Sequence, residues 1–327
     1  MRILIGLVAA LLGGRSVFAA DSGGYLNLNL NQTHYLGAKQ AATQSSNYTF
    51  ANADIKIEPA SAGFRYKLNL IVQDAIGVKD EFYYGAPEAF VQPKLGEGFN
   101  LVIGRQKRTW SRLDEEFNLG VWQPQLRWDY LAPKQEGLTG VFFDIRLSEE
   151  FSITVFTLPV FLPDQGPNYQ LSNGQFVSRN RWFSQPQSRV QLFNNQGVAP
   201  GTPIFFEIDR PPEEQVINNT GYGLGLNYRK DSFWSALNYS YKPQNQIHLG
   251  VECAACLNIG GPGPGEVTLT IHPAVIKHHV VTLESGYDGV DSRGYLSVTG
   301  DFPNASKFPS GYWESPLNSM IIAGGAY

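Results

Sequence analysis

The chain predicts an all-β fold: a transmembrane antiparallel β-barrel of about 14 strands, within a range of 12–16, with short turns at one end and long loops at the other. Three observations carry this. Many segments alternate apolar and polar residues with period 2, the signature of strands with two different faces. The connections between them alternate between clipped and long, as in barrels that cross an outer membrane. No segment reads as the helix or second sheet that would cover the apolar faces in a water-soluble protein.

The elements follow in order. MRILIGLVAALLGGRSVFAA has a cation at Arg2, an apolar run from Ile3 to Leu12, and Val17 and Ala19 at the positions a signal peptidase reads. Residues 1–20 are therefore expected to be a signal peptide cut after Ala19 or Ala20, with Arg15 as a departure from the usual neutral approach. No Cys follows the apolar run, which argues against a lipid anchor. Residues 21–327 are then one barrel domain. Removing Arg2 and Arg15 leaves 23 Lys and Arg against 29 Asp and Glu, a net charge of −6. That balance excludes nucleic acid as a partner, since its phosphates call for a basic face.

Alternation is clearest in GFRYKLNLIVQD. Phe64, Tyr66, Leu68, Leu70 and Val72 take one side, and Arg65, Lys67, Asn69 and Gln73 the other. The same pattern places strands at 24–32, 47–58, 63–74, 86–94, 99–107, 137–147, 151–158, 220–229, 232–242, 246–253, 265–272, 277–287, 293–301 and 317–327. The segment 246–253 is the weakest of these, and without it the count would be odd and the chain a candidate piece of a larger barrel. PASA, LGEG, SEE and KD at 59–62, 95–98, 148–150 and 230–231 are tight turns, and CAACLNIGGPGPG is expected to be a longer turn at the same end. Connections near 33–46, 75–85, 108–136 and 159–219 are long. Tyr48, Phe64, Phe151, Tyr222, Tyr228, Phe233, Tyr239, Tyr241 and Tyr287 sit near strand ends, where interfacial aromatic girdles belong. The apolar side of each strand is expected to face lipid and the polar side a wet lumen. The half-buried strands of a secreted sandwich also alternate, but a sandwich does not predict the long-and-short connections.

At LVIGRQKRTWSRLDEEFNLGVW the chain resembles the bacterial outer-membrane porins, in which a strand ending in Gly-Arg-Gln runs into a loop with Trp and acids. The resemblance implies a passive, often trimeric channel for small hydrophilic solutes and ions, in contact with lipid bilayer and lipopolysaccharide. Arg105 shares a side with Leu101 and Ile103; a bulge at Gly104 would turn it into the lumen, and otherwise it belongs at the rim.

Selectivity in such a channel comes from width and lining charge. The polar sides supply Asp54, Lys56, Glu58, Arg65, Lys67, Glu88, Asp144, Arg146, Arg229 and Glu284, a mixture that favours neither ion. Two loops are candidates for a constriction. The first carries Arg105, Arg108, Arg112, Asp114, Glu115 and Glu116; the second carries Arg179, Arg181 and Arg189 with Glu207 and Asp209. One of them is expected to fold into the pore and set basic groups opposite acids; an outer cap or subunit latch is the alternative reading.

Other chemistries find less support. Cys253 and Cys256 form CAAC, followed by Leu257 rather than the His of a haem-attachment motif, and are read as a local disulfide or idle. No metal site or cofactor is expected. His272, His278 and His279 lie near Glu284 and Ser285, but neither G-x-S-x-G nor H-E-x-x-H occurs. His278 and His279 fall on opposite faces of one strand and cannot share a metal. Enzymatic activity is not expected; a barrel hydrolase ranks below an adhesin or structural barrel, which the long loops would serve equally. The first strand begins too early for the plug domain of an energy-coupled receptor.

Overall fold

The structure is a computed structural model, and it describes residues 24–34, 47–58, 63–78, 81–183, 204–250, 257–259, 267–304 and 317–326. The expected signal peptide, Arg189, Cys253 and Cys256 lie outside the described residues. Strands β1 (Gly24–His34), β2 (Asn47–Ile57), β3 (Phe64–Ala75), β4 (Phe82–Pro93) and β5 (Phe99–Gln106) follow one another. A long loop then carries helix α1 (Arg112–Glu116) and short strands β6 (Gln125–Leu126) and β7 (Lys134–Gln135). After β8 (Leu138–Arg146) and β9 (Phe151–Leu158), a second loop holds β10 (Gln170–Ser172), β11 (Gln175–Val177), β12 (Ile204–Ile208) and helix α2 (Glu213–Ile217). Next come β13 (Gly221–Lys230) and β14 (Phe233–Pro243), then β15 (His248–Gly250), β16 (Leu257–Ile259) and β17 (Val267–Ala274). β18 (Lys277–Asp288), β19 (Arg293–Pro303) and β20 (Ser319–Ala326) complete the chain.

Twelve of these strands form one antiparallel sheet in the order β1-β2-β3-β4-β5-β8-β9-β13-β14-β18-β19-β20. Every strand pairs with its neighbours along the chain, so the sheet is a meander. Among the described residues β1 and β20 each pair on one side only. The turns at one end are tight; Asp231 at the β13–β14 turn takes φ +49°, and Gly96 and Gly98 at the β4–β5 turn take +122° and +82°. All the long connections leave from the other end.

Twelve strands among the described residues fall at the lower bound of the expected 12–16, and the difference from fourteen has a local cause. Tyr241, Lys242 and Pro243 of β14 pair directly with His279, His278 and Lys277 of β18, so no strand fits between them. The segments read at 246–253 and 265–272 do extend, but in a small separate sheet at the loop end. There β17 pairs parallel with β12 and antiparallel with β15 and β16. Period 2 identifies an extended segment without saying which sheet it joins. Of CAACLNIGGPGPG only Leu257–Ile259 is described, and it pairs with β17 in that loop-end sheet; the rest of the expected turn lies outside the described residues. Losing two strands together keeps the count even.

The outward face is apolar along the whole sheet. Leu30, Tyr84, Leu237, Leu283, Leu296 and Ile322 are exposed there, Tyr84 to 73% and Leu283 to 54%. A continuous apolar surface of this extent requires hydrocarbon around it rather than water. Phe233 and Tyr241 bracket β14, eight residues apart, or about 26 Å along the strand at ~3.3 Å per residue. With a tilt of roughly 40° that projects to about 20 Å, close to the apolar band of an outer-membrane barrel. No helix among the described residues is long and apolar enough to cross a membrane.

Candidate functional site

The inward face carries the chemistry, and what organises it is the loop 107–137. Its sequence turns at Ser111, whose hydroxyl caps α1 by accepting from Asp114 N at 3.2 Å. The Asp114 carboxylate in turn accepts from Val121 N at 2.8 Å and Trp122 N at 3.0 Å, closing the loop on itself. The loop then reaches strands on both sides of the sheet. Lys134 Nζ donates to Gln73 of β3 at 3.1 Å, Arg112 N to Glu284 of β18 at 2.7 Å, and Ser111 meets Thr299 of β19 at 3.3 Å. A sheet whose third and nineteenth strands both touch one loop curls around it.

The interior beside β5, β8 and β9 is therefore a packed protein core. Trp110 and Trp122 stack with ring centroids 5.5 Å apart, and Trp110 lies 4.6 Å from Phe156. Phe90, Val102, Leu138, Phe142, Leu158 and Val280 complete the cluster. The inward face of β5, β8 and β9 is in this region apolar and dry, where a wet lumen was expected. A second cluster joins Tyr48, Phe50, Ala75, Tyr83, Leu126 and Trp128 near the loop end. Tyr48, read from the sequence as a girdle residue, points inward, is 2% exposed, and donates its hydroxyl to Arg179 O at 2.9 Å.

The charged residues of β2, β3 and β4 occupy the other wall, towards the tight-turn end. Glu58 contacts Lys56 at 2.9 Å and both Lys67 and Arg65 at 3.5 Å, and Lys67 meets Glu88 at 2.5 Å. The hydrogen bond from Lys56 and the nearby charge of Lys67 hold the Glu58 carboxyl below its ordinary value, against a partial desolvation. Asp54 lies in the field of Lys107 and Lys134, whose ammonium groups burial pushes down. Alternating signs along adjacent strands neutralise this wall while keeping it polar.

On the opposite side, Arg108 grips Asp144 through two nitrogens at 2.7 and 3.0 Å and lies 4.7 Å from the Phe142 ring. Asn100 and Thr154 also donate to Asp144, each at 2.8 Å. Arg112 stacks 4.1 Å over Trp234 and meets Asp288 at 3.3 Å, and Arg229 reaches the same carboxylate at 3.7 Å. Glu284 also accepts from Ser297 at 2.6 Å. Glu115 contacts Thr109 at 3.2 Å, and Glu116 accepts from the Tyr295 hydroxyl. Arg146 ends β8 near the turn and is exposed.

Arg105 is reached by a different route from the bulge read at Gly104. β5 pairs with β8 and β4 without a register shift on either side of Gly104; the shift lies between β3 and β4, at Asn69/Ile71. The carbonyl of Ala86 on β4 accepts from Arg105 at 3.1 Å, beside Gly137 O at 3.0 Å and the wholly buried Glu136 at 2.8 Å. The Tyr83 hydroxyl completes this group by donating to Glu136 at 2.5 Å. Gly104, at φ +125°, is required because a Cβ would fall 2.3 Å from Ala89 O.

Arg179, Arg181, Glu207 and Asp209 lie elsewhere, in the layer of loop-end structure. Arg181 N donates to Tyr48 Oη at 3.1 Å, and Asp209 meets His272 at 3.2 Å. This layer rests on the inner loop: Arg127 donates to Asp164 at 3.1 Å, Gln165 N to Gln125 O at 3.0 Å, and Asn245 to Gly120 O at 2.7 Å. The histidines do not converge on one centre. His278 pairs with Asp301 at 2.6 Å inside, and His279 meets Tyr239 at 3.0 Å outside. Among the described residues no group of three or more His, Cys, Asp or Glu could hold a metal ion.

Sequence reasoning missed Asp288, Asn100, Thr154, and the roles of Trp110 and Trp122. A signal for the tryptophans existed: two large rings in an otherwise polar loop call for a buried face.

No family model matches the chain, and no curated protein matches it in sequence. Among solved structures, it aligns with Salmonella typhi OmpF in complex with daunomycin at 10% identity and TM-score 0.37, covering 94% of this chain and 87% of that one. With the copper transporter OprC the values are 9% and 0.36, over 84% and 41%. With Pseudomonas aeruginosa OccK9 (OpdG) they are 11% and 0.30, over 85% and 62%, so the chain spans less than two thirds of the last two.

Proposed function

We propose that the protein is exported through a cleaved signal peptide to an outer membrane, where it is a porin: a passive diffusion channel for small hydrophilic solutes and ions. One observation carries this reading. A loop is fastened inside a curled, lipid-faced sheet, and it leaves one wall polar and charge-balanced. The water path would run between that loop and the inward side of β1–β4, past Asp54, Lys56, Glu58, Arg65, Lys67 and Glu88. Loop 107–137, with Arg108, Arg112, Asp114, Glu115 and Glu116, would set its width, and the longer loop 159–220 would lie above it. Because the signs alternate along this wall, selectivity between anions and cations would be weak.

Planar-bilayer recording on refolded protein, paired with liposome swelling in neutral sugars of graded size, tests the reading. Discrete conductance steps and a sharp size limit are expected. Folded protein that gives neither would remove the channel reading. It would favour the second one, an adhesive or structural barrel, which the small loop-end sheet of β12, β15, β16 and β17 supports. Chemical cross-linking in detergent tests the trimer that the porin resemblance implies.

A further inference from the structure

The loop-end layer builds a second concave surface, apart from the charged wall inside. Segments around 127–130, 164–169, 182–183, 208–217 and 246–249 enclose a cleft of about 880 Å³. Small-molecule sites span roughly 300–1,000 Å³ and are mostly apolar with a few placed polar groups. Two aromatic pairs line it. Tyr130 and Trp182 have centroids 6.2 Å apart at 44°, and Tyr169 and Phe183 5.6 Å apart at 30°. Tyr130 and Tyr169 keep 49% and 40% of their surface exposed, so both present rings to whatever enters. Ile208, Val216, Ile247 and Leu249 supply the aliphatic walls.

The charges are few and sum to zero. Arg127 and Asp164 pair at 3.1 Å, which leaves Arg210 and Glu213 as an exposed cation and anion three residues apart. One approach to Trp182 already holds a cation, the Arg181 guanidinium at 5.2 Å from the ring. A solute with net charge would lose hydration in this cleft without a net counter-charge to replace it. A ring gains offset or edge-on contact with the tyrosines. Hydrophilic solutes alone would need no such apolar mouth.

We propose that this cleft binds net-neutral, ring-bearing amphiphiles, with zwitterions carrying an aromatic body as the best-fitting class. Arg210 takes the anionic end, Glu213 the cationic end, and the tyrosines the ring. This goes beyond the channel reading, because occupancy can be measured with no conduction at all.

The test is titration calorimetry on the full chain refolded in detergent micelles, with four named probes. L-Tryptophan is zwitterionic, tryptamine cationic, indole-3-acetate anionic, and glycine a zwitterion without a ring. L-Tryptophan should bind with a Kd about tenfold or more below that of either singly charged indole, equivalent to ~1.4 kcal/mol, and glycine should not bind. Tyr130→Ala and, on the facing wall, Ile247→Asp should each weaken L-tryptophan several-fold. Heat-modifiable gel migration and channel conductance should stay unchanged in both. Equal affinity for all three indoles, no saturation by L-tryptophan, or full affinity in both folded variants would overturn the assignment. If one variant fails to fold, the other and the probe series still decide.

Discussion

The indole N–H of Trp122 donates to Oγ1 of Thr282 at 2.8 Å, tying the inner loop to β18 where neither side chain reaches solvent. Thr282 in turn meets Thr299 at 2.8 Å, and Thr299 meets the α1 cap Ser111. The loop is thus held by a chain of hydroxyls running across two strands.

Replacing Thr282 by Val keeps the shape and removes the hydroxyl. It leaves a buried indole N–H without an acceptor, at a cost of about 1–3 kcal/mol. We expect a lower melting temperature and a noisier open-channel current from a loosened loop. Unaltered noise and melting would mean that packing of the tryptophans alone seats the loop.

The two faces of the sheet make opposite demands on charge. Leu283→Arg, in the outward face of β18, should cost about 2–4 kcal/mol at mid-membrane depth and reduce the folded fraction in lipid. Asn227→Arg, inward on β13 and exposed, should fold like the parent. Heat-modifiable migration after refolding into lipid vesicles compares the two directly.

Gly104 has no substitute at its backbone angle. Ala there meets Ala89 O at 2.3 Å and Phe90 Cα at 2.8 Å while also taking φ +125°. The strain should exceed ~1–3 kcal/mol and misplace the Arg105–Glu136 pair. A much lower folded yield of Gly104→Ala is the expected readout, and a native yield would show that β4 can shift aside.

Acid should tighten the inner loop rather than release it. Burial pushes the Asp114 carboxyl above its ordinary 3.8 despite the donors Val121 and Trp122, and it pushes Asp164 up despite Arg127. A carboxyl raised by folding stabilises most below its unfolded value and loses that contribution as pH climbs through the raised one. Glu58, held low by Lys56, behaves oppositely: its contribution is present above 4.5 and fades as pH falls through its lowered value. Following tryptophan emission during melting from neutral pH down to about 4 should show the loop signal grow more heat-resistant. Asp114→Asn should flatten that slope and lower stability throughout, since an amide offers one acceptor oxygen to two backbone donors. A steep slope retained in the variant would place the titration elsewhere.

Much of the architecture was legible because strand parity is a local property. Leu26, Phe64, Leu224 and Leu283 announce the outward face from their spacing alone, and the twelve sheet strands lie within a few residues of their sequence positions. What parity cannot carry is partnership. The extended segment Val267–Ala274 reads like any sheet strand, and only its parallel pairing with Ile204–Ile208 sets it apart. The interior was half legible for a related reason. Val102 and Phe142 stood on the nominally polar side, a sign that something dry would cover them. The cover, Trp110 and Trp122, lies in a loop whose path depends on contacts more than a hundred residues distant. Arg105 was placed near its final position for the wrong local reason, since the irregularity it satisfies is on the neighbouring strand.

Filling one side of the interior with stacked indoles makes the curled sheet mechanically lopsided. One bank is as stiff as any globular core, while the other, the tight-turn half of β1–β3 beyond the Tyr48–Trp128 cluster, is a single layer of sheet. Thermal breathing of the sheet would come almost entirely from the thin bank. Stapling β2 to β3 should then quieten the molecule more than any cross-link placed among the tryptophans.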